Sequence, residues 1–400
     1  MPILKTLAAG AAALAMAALW VPQAVAQAPA QTAGPIRIGV PLPLTGVLAV
    51  GGQTILSGVK FAAEEINAGG GLLGRPVELL IEDTKSEPNT AATIAAKMVT
   101  EDKVYAFVGG YGSTADFALL SSVKRYKPLF IHTGSSSVRL ETSFGKEDWY
   151  YHIYIWDYHR QKAASRFLAS IEPKVNTVAL AYEDGLYGAD AAKYAEEYFS
   201  KAGMKLVMKE PFKSGSPDFS PVLSRVKSLN PDAFFSVGYS GDNLQLVRQM
   251  KSLGIKPKLT MVVSAGDRRA DYGDMSEGLT MITEWSTADR TPAAAELIRK
   301  VEAKGQAIAP VFPQGYAGMM TLADAIRTAG SLDQDKVRKV LSTATFDTPY
   351  GKIGYRASEG GGLHQLLSDE TMVIVQHRKE GEEVVYPAAK AGGKLAYPAP

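Results

Sequence analysis

Cysteine is absent from all 400 residues. That excludes a disulfide framework, a thiol nucleophile, a cysteine-based metal site and a lipid anchor on cysteine. Charge of one sign is scarce too, with 43 Lys and Arg against 41 Asp and Glu. No basic surface is forced by such a balance, so a nucleic-acid partner is not expected. The five histidines, at 132, 152, 159, 364 and 377, are scattered rather than spaced as ligands, and no metal site is expected. After the first 26 residues no apolar run approaches the roughly 20 residues of a membrane span, so the mature chain is expected to be soluble.

Catalytic signatures are missing as well. There is no G-x-S-x-G elbow, no H-E-x-x-H and no phosphate-loop Lys-Ser/Thr. The stretch Gly110-Tyr111-Gly112-Ser113-Thr114-Ala115 imitates a dinucleotide fingerprint, but it follows the third predicted strand rather than the first, and the next strand ends in His132 instead of an acid. What survives of that motif is physical. Glycines let backbone approach a ligand, and a helix start offers free N–H groups to an anion. Glu64-Glu65 and Glu196-Glu197 read as solvated helix faces, and Glu82-Asp83 at a strand end as a turn or cap. The chain is expected to be no enzyme and to need no cofactor.

What is present begins with an export signal. Lys5 precedes an apolar run from Leu7 to Val21, and Ala24-Val25-Ala26 has the small-x-small pattern of a cleavage site before Gln27. As a helix the run would span about 22 Å, short of the roughly 30 Å of a bilayer core. A Gln-, Ala- and Pro-rich leader follows, Gln27 to Pro35, and reads as disordered. A free, exported, untethered protein points to the periplasm.

Beyond the leader, short apolar runs alternate with amphipathic stretches. Strands are predicted at Ile36–Pro43, Val77–Asp83, Val104–Gly109 and Leu129–His132, and a second series at Thr177–Tyr182, Lys205–Phe212, Ala233–Gly238 and Leu259–Ser264. In Gln53–Ala68 the residues Ile55, Val59, Ala62, Ala63 and Ile66 share one helical face, and Gly69-Gly70-Gly71 ends it. This pattern predicts an α/β protein with two doubly wound parallel sheets. Helices are predicted at Pro292–Lys304, Gln314–Thr328 and Gln334–Ser342, and a further strand at Met372–His377. Three crossings between the lobes are expected, at Tyr150–Asp157, Leu279–Glu284 and Phe346–Gly351. One lobe would comprise residues 36–156 and 285–346 and the other 157–284 and 347–387, with 388–400 an unpacked tail.

The succession Ile36-Arg37-Ile38-Gly39-Val40-Pro41-Leu42-Pro43-Leu44-Thr45-Gly46, then Gly58-Val59-Lys60-Phe61-Ala62, then Gly70-Gly71-Leu72-Leu73-Gly74-Arg75-Pro76-Val77-Glu78-Leu79 with Glu82-Asp83-Thr84, closely resembles the leucine/isoleucine/valine-binding proteins, the type I periplasmic receptors of branched-chain amino-acid ABC importers. Tyr182-Glu183-Asp184 with Tyr187-Gly188, Asp218-Phe219-Ser220 and Val237-Gly238-Tyr239 continue the likeness, which runs from about Ile36 to about Tyr355. It implies two Rossmann-like lobes on a three-strand hinge, closing on a small carboxylate ligand for delivery to an inner-membrane permease. A monomer is expected.

The resemblance also implies a site. Ser113 matches the helix-capping serine that meets the ligand carboxylate. The loop that supplies a carbonyl, a hydroxyl and an N–H matches Gly134 to Ser137, which includes Ser135, with Gly134 and Ser136 the closest matches. Tyr187 and Tyr239 match the tyrosines of the opposite lobe. The acid that neutralises a ligand ammonium in amino-acid-binding members is missing, because the matching position is Ala265. Either Asp267 takes that role or the ligand has no ammonium, with Asp157, Asp184 and Asp242 further candidates that read as hinge, turn or cap residues. Tyr111, Trp156, Tyr158, His159, Arg160 and Tyr316 are expected near the cleft, a set of rings that would suit an aromatic or extended apolar acid.

Overall fold

The computed structural model describes residues 34–263 and 268–400. The expected signal peptide, all of the leader except Gly34 and Pro35, and the pair Ala265 and Asp267 lie outside the described residues. Among the described residues no helix is long and apolar enough to cross a membrane.

Two parallel-rich sheets form from the two predicted strand series. The first contains β1 (Ile36–Leu42), β2 (Val77–Asp83), β3 (Ala106–Gly109), β4 (Leu129–His132) and β5 (Tyr150–His152), in the spatial order β2-β1-β3-β4-β5 and parallel throughout. Its connecting helices are α1 (Ala49–Ala68), α2 (Pro88–Thr100), α3 (Ser113–Val123) and α4 (Val138–Phe144). All four residues of β3 and of β4 are buried, as expected of strands covered on both faces.

The second sheet begins after α5 (Asp157–Ala169). It takes β6 (Thr177–Glu183), β7 (Lys205–Phe212), β8 (Ala233–Val237), β9 (Leu259–Val263) and β10 (Thr280–Thr283), joined by α6 (Leu186–Lys201), α7 (Ser220–Leu229), α8 (Ser240–Ser252) and α9 (Arg269–Tyr272). The chain then returns to the first sheet as α10 (Pro292–Ala303), α11 (Phe312–Ala329) and α12 (Gln334–Thr343). Gly58 and Gly315 let α1 and α11 touch, since a Cβ on either would lie 2.1 Å from a carbonyl oxygen of the other helix.

Two predictions at this end fail for identifiable reasons. The third crossing is not Phe346–Gly351. That segment folds back as a hairpin, β11 (Phe346–Thr348) against β12 (Gly351–Ile353), because Thr348 to Gly351 makes a tight turn in which the Thr348 hydroxyl donates to the Gly351 carbonyl at 2.8 Å. Residues 364–367 run beside the first crossing instead. The His152 N–H donates to the His364 carbonyl at 2.8 Å, and the Leu366 N–H to the His152 carbonyl at 2.9 Å. The strand then enters the second sheet as β13 (Val373–Arg378), which pairs antiparallel with an unforeseen edge strand, β14 (Gly381–Tyr386). β14 is half-exposed and opens Gly-Glu-Glu, so it lacked an apolar pattern.

The tail from Ala388, expected to lie unpacked, is instead bound to the second sheet. Buried Gln376 needs partners for both ends of its amide, and it finds them in the Ala396 N–H at 2.8 Å and carbonyl at 3.0 Å. The Ala399 N–H donates to the Lys258 carbonyl at 2.7 Å.

Candidate ligand-binding cleft

Each sheet parts its chain at one place. In the first, β1 lies between β2 and β3; in the second, β6 lies between β7 and β8. Loops leaving the carboxyl ends of strands at such switch points diverge to opposite faces and leave a crevice. The loops after β3 and β4 of the first sheet meet those after β6 and β8 of the second. Tyr111, Gly112, Ser113, Ser135, Ser136, Tyr154, Arg160, Tyr187, Gly238, Tyr239 and Val263 line the space between them, about 290 Å³ including its mouth. A wider groove between α1 and α8, about 990 Å³, has its charged residues Arg248 and Arg268 exposed and Asp271 partly exposed and lacks such convergence.

The first wall is polar and built from backbone turns. Gly112 takes φ 102°, a left-handed conformation that suits glycine, and so turns β3 directly into α3 with Ser113 at its first position. Ser113 is fully buried, and its hydroxyl accepts the Ser137 N–H at 3.3 Å. Ser135 also sits at positive φ, 70°, and its hydroxyl donates to Asp116 at 2.6 Å. The same Asp116 oxygen contacts His132 Nε2 at 2.9 Å, and His132 Nδ1 meets the Tyr150 hydroxyl at 2.7 Å. This buried chain holds the serine loop from behind.

Arg160 forms the floor beside Ser136. Nearly all of it is buried. One guanidinium nitrogen reaches Asp157 Oδ1 at 2.7 Å and the Ser136 hydroxyl at 3.1 Å; the other donates to the Tyr154 hydroxyl at 2.7 Å and lies 3.7 Å from Glu284. Its central carbon lies over the rings of Tyr154 and Tyr187, 5.5 and 5.3 Å from their centres. Burial opposes the charge, but Tyr154, Tyr187, Asp157 and Glu284 together more than offset it, so the guanidinium stays protonated. Burial pushes Asp157 and Glu284 upward, against the pull of Arg160. Nε of Arg160 and both Glu284 oxygens have no hydrogen-bond partner.

The opposite wall is aromatic. Tyr239 precedes α8 and stands 5.3 Å from Tyr187 and 5.9 Å from Tyr111 across the cleft, ring centre to ring centre. Two carboxylates set the turns that present these rings. Glu183 accepts the Gly185 and Gly188 N–H groups at 2.7 and 2.9 Å, and Asp242 accepts from Gly215 at 2.7 Å and from Tyr239 at 3.3 Å. The walls touch at the mouth, where the Ser137 hydroxyl donates to Asp190 at 2.5 Å and the Leu186 N–H to the Thr114 hydroxyl at 3.3 Å.

Of the residues expected at the site, Tyr111, Ser113, Ser135, Ser136, Tyr187 and Tyr239 converge, together with Arg160. Gly134 is behind them, kept small because a Cβ there would lie 2.8 Å from the Tyr111 ring. Trp156 does not reach the cleft; it stacks on His152 at 3.7 Å and 9° and packs in the core. Tyr158 is drawn away by Glu141 at 3.1 Å, and Tyr316 by Glu65 at 2.7 Å. Asp157 serves Arg160, and Asp242 caps a turn. Tyr154, Gly238 and Val263 were not foreseen, since nothing local marks a tyrosine in a crossing segment or a residue ending a strand. His159, Glu359 and Asp369 come close enough together to hold a cation, but Lys162 already contacts Glu359 at 2.6 Å and Arg166 contacts Asp369 at 2.6 Å.

A family model described as periplasmic binding protein matches residues 35–381. The chain is 27% identical over 323 residues to the leucine-, isoleucine-, valine-, threonine- and alanine-binding protein of Pseudomonas aeruginosa, covering 80% of this chain and 85% of that one. Among solved structures, a leucine-binding protein from Thermotoga maritima superposes with a TM-score of 0.76 at 25% identity, over 87% of this chain and 97% of the other. A solute-binding protein from R. palustris, solved with benzoate, gives a TM-score of 0.78 at 15% identity, over 92% of this chain and 97% of the other.

Proposed function

We propose that this chain, which belongs to the periplasmic binding protein family, captures a small carboxylate between its two lobes and hands it to an ABC-type permease in the inner membrane. The observation that carries the reading is the convergence of Ser113, Ser135 and Ser136 at the start of α3 and the loop after β4, opposite Tyr187 and Tyr239. The Ser113 hydroxyl, which among the described residues only accepts, and the start of α3 favour an anion, and rings cover an apolar body. Export by the N-terminal signal, with cleavage after Ala26, puts the protein in the periplasm, where it acts as a monomer. A branched-chain amino acid is the ligand suggested by the P. aeruginosa relative. An aromatic or other non-amino acid is the second reading, and the four tyrosines among the lining residues favour it.

A thermal-shift screen of amino acids against their deaminated analogues and aromatic acids tests this. A true ligand binds one-to-one near micromolar, about −8 kcal/mol, and stabilises the fold by about 2.7 kcal/mol at a hundredfold excess over Kd. Failure of every carboxylate, with tight binding of a neutral amide, would reject the carboxylate class. Asp267→Asn separates the two ligands: the change abolishes amino-acid binding if Asp267 meets the ammonium, and leaves binding of a non-amino acid intact.

A further inference from the structure

We propose that Arg160 is the residue that sets the charge of the ligand: an incoming carboxylate lies against its free Nε–H, with the Ser113 and Ser136 hydroxyls beside it, so the cleft takes the acid and rejects the amide of the same shape. This rests on the cleft being the ligand site and adds the group that gives it selectivity.

Burying a guanidinium is costly unless its donors are met. Arg160 has five N–H donors in a fixed fork. The described residues fill three with hydrogen bonds, to Asp157, Ser136 and Tyr154, and Glu284 stands off at 3.7 Å. Nε is buried and unpartnered on a residue that lines the cleft. A role as a pin between the first crossing and Glu284 accounts for the acid contacts. It does not account for an unfilled donor at the cleft, nor for the ring of Tyr187, from the opposite wall, lying 5.3 Å from the guanidinium. A carboxylate supplies the acceptor that Nε lacks, in the bidentate geometry that guanidinium groups favour. A carboxamide of the same shape has a single acceptor oxygen and no charge, and it sets an N–H₂ group against Arg160.

Isothermal titration of the full-length mature protein with benzoate and L-leucine, and with benzamide and L-leucinamide, tests the proposal. At least one acid is expected to bind, with its amide roughly 100-fold weaker or worse. Arg160→Met should weaken that acid by about 30- to 1,000-fold and bring the acid-to-amide ratio close to one. Arg160→Lys, which keeps charge but loses the fork, should preserve the preference with roughly tenfold weaker binding. If the acid binds but its amide matches it, or a folded Arg160→Met keeps the acid preference, or Arg160→Lys leaves affinity unchanged, Arg160 is a structural pin and ligand capture stands without it. If neither these acids nor any carboxylate of the thermal-shift screen binds at millimolar concentration, the carboxylate reading and this inference fall together. Should Arg160→Met fail to fold by circular dichroism, the wild-type acid–amide pair and Arg160→Lys decide the question.

Discussion

The two walls of the cleft solve one problem by opposite means. The wall from the first sheet sets small residues, Gly112, Ser113, Ser135 and Ser136, beside the rings of Tyr111 and Tyr154, and what the small residues offer is hydroxyls and backbone held by buried polar chains. The wall from the second sheet is made of Tyr187 and Tyr239, large rings on turns fixed by Glu183 and Asp242. A polar group must be placed within a few tenths of an ångström to form a hydrogen bond. A ring needs only to cover apolar surface, so its value survives small movements. This division suits a site that closes: the wall that fixes orientation is rigid, and the wall that arrives last is tolerant.

Four measurements can break or sharpen that contrast. The largest effect is expected from the tolerant wall, because ring area is lost wholesale. Tyr239→Ala removes a ring that meets both Tyr111 and Tyr187 and should cost about 2–4 kcal/mol in binding free energy, with weaker binding read by titration. A smaller loss, about 1–3 kcal/mol each, is expected for Ser113→Ala and Ser136→Ala through lost charge-assisted hydrogen bonds. Acids and their esters should separate the two kinds of loss, since Ser variants discriminate less between them and Tyr239→Ala discriminates as before. If both kinds of variant lose discrimination equally, the walls do not divide their work.

Smaller still is the latch at the mouth. Asp190→Ala removes the acceptor of Ser137, which is half-exposed, so a change of about 0.5–1 kcal/mol in affinity is expected. Small-angle scattering with and without ligand should show a more open unliganded form than in wild type; identical profiles would show that the latch does not bias closure.

The last prediction concerns pH and should leave binding at pH 7 nearly untouched. Burial pushes His152 down to about 3 and His159 to about 4 from an ordinary 6.5. Both are therefore neutral when folded and protonate more readily when unfolded. Their contribution to stability is complete above about pH 6.5 and is lost as pH falls toward about 4 and then 3. His152 Nε2 contacts the Ser135 carbonyl at 2.9 Å, so acid should loosen the polar wall first. Hydrogen exchange at pH 5 should rise around residues 134–160 before it rises around 183–240, and a uniform rise would contradict this.

Much of this molecule could be read along the chain. The strands Val77–Asp83, Leu129–His132 and Lys205–Phe212 were predicted to the residue, because a short apolar centre bounded by turns carries its own signal. Ser113, Ser135, Ser136, Tyr187 and Tyr239 were named through the family resemblance, and the structure brings them together because each lies within a few residues of a strand end, where α/β sheets collect ligands. Three predictions failed where the signal was not local. Trp156 looked like a cleft aromatic, but His152, four residues earlier, offered a flat partner in the core. Phe346–Gly351 looked like a crossing strand, but a turn at Thr348 closed it into a hairpin. The tail looked free until Gln376, buried far from it in sequence, needed acceptor and donor.

From its residues alone the chain determined two wound sheets, a cysteine-free character, and the strand-end loops that face one another. Those properties follow from short-range causes: apolar period, turn chemistry and helix starts. Only the tertiary structure decided which side chains enter the cleft and with what charge. Arg160 was one of several residues near a crossing until Asp157 and Tyr154 of that crossing, Ser136 and Glu284, drawn from three separate segments, fixed its fork at the cleft floor. The cost of burying a charge depends on every neighbour at once, and that is a property of packing in three dimensions.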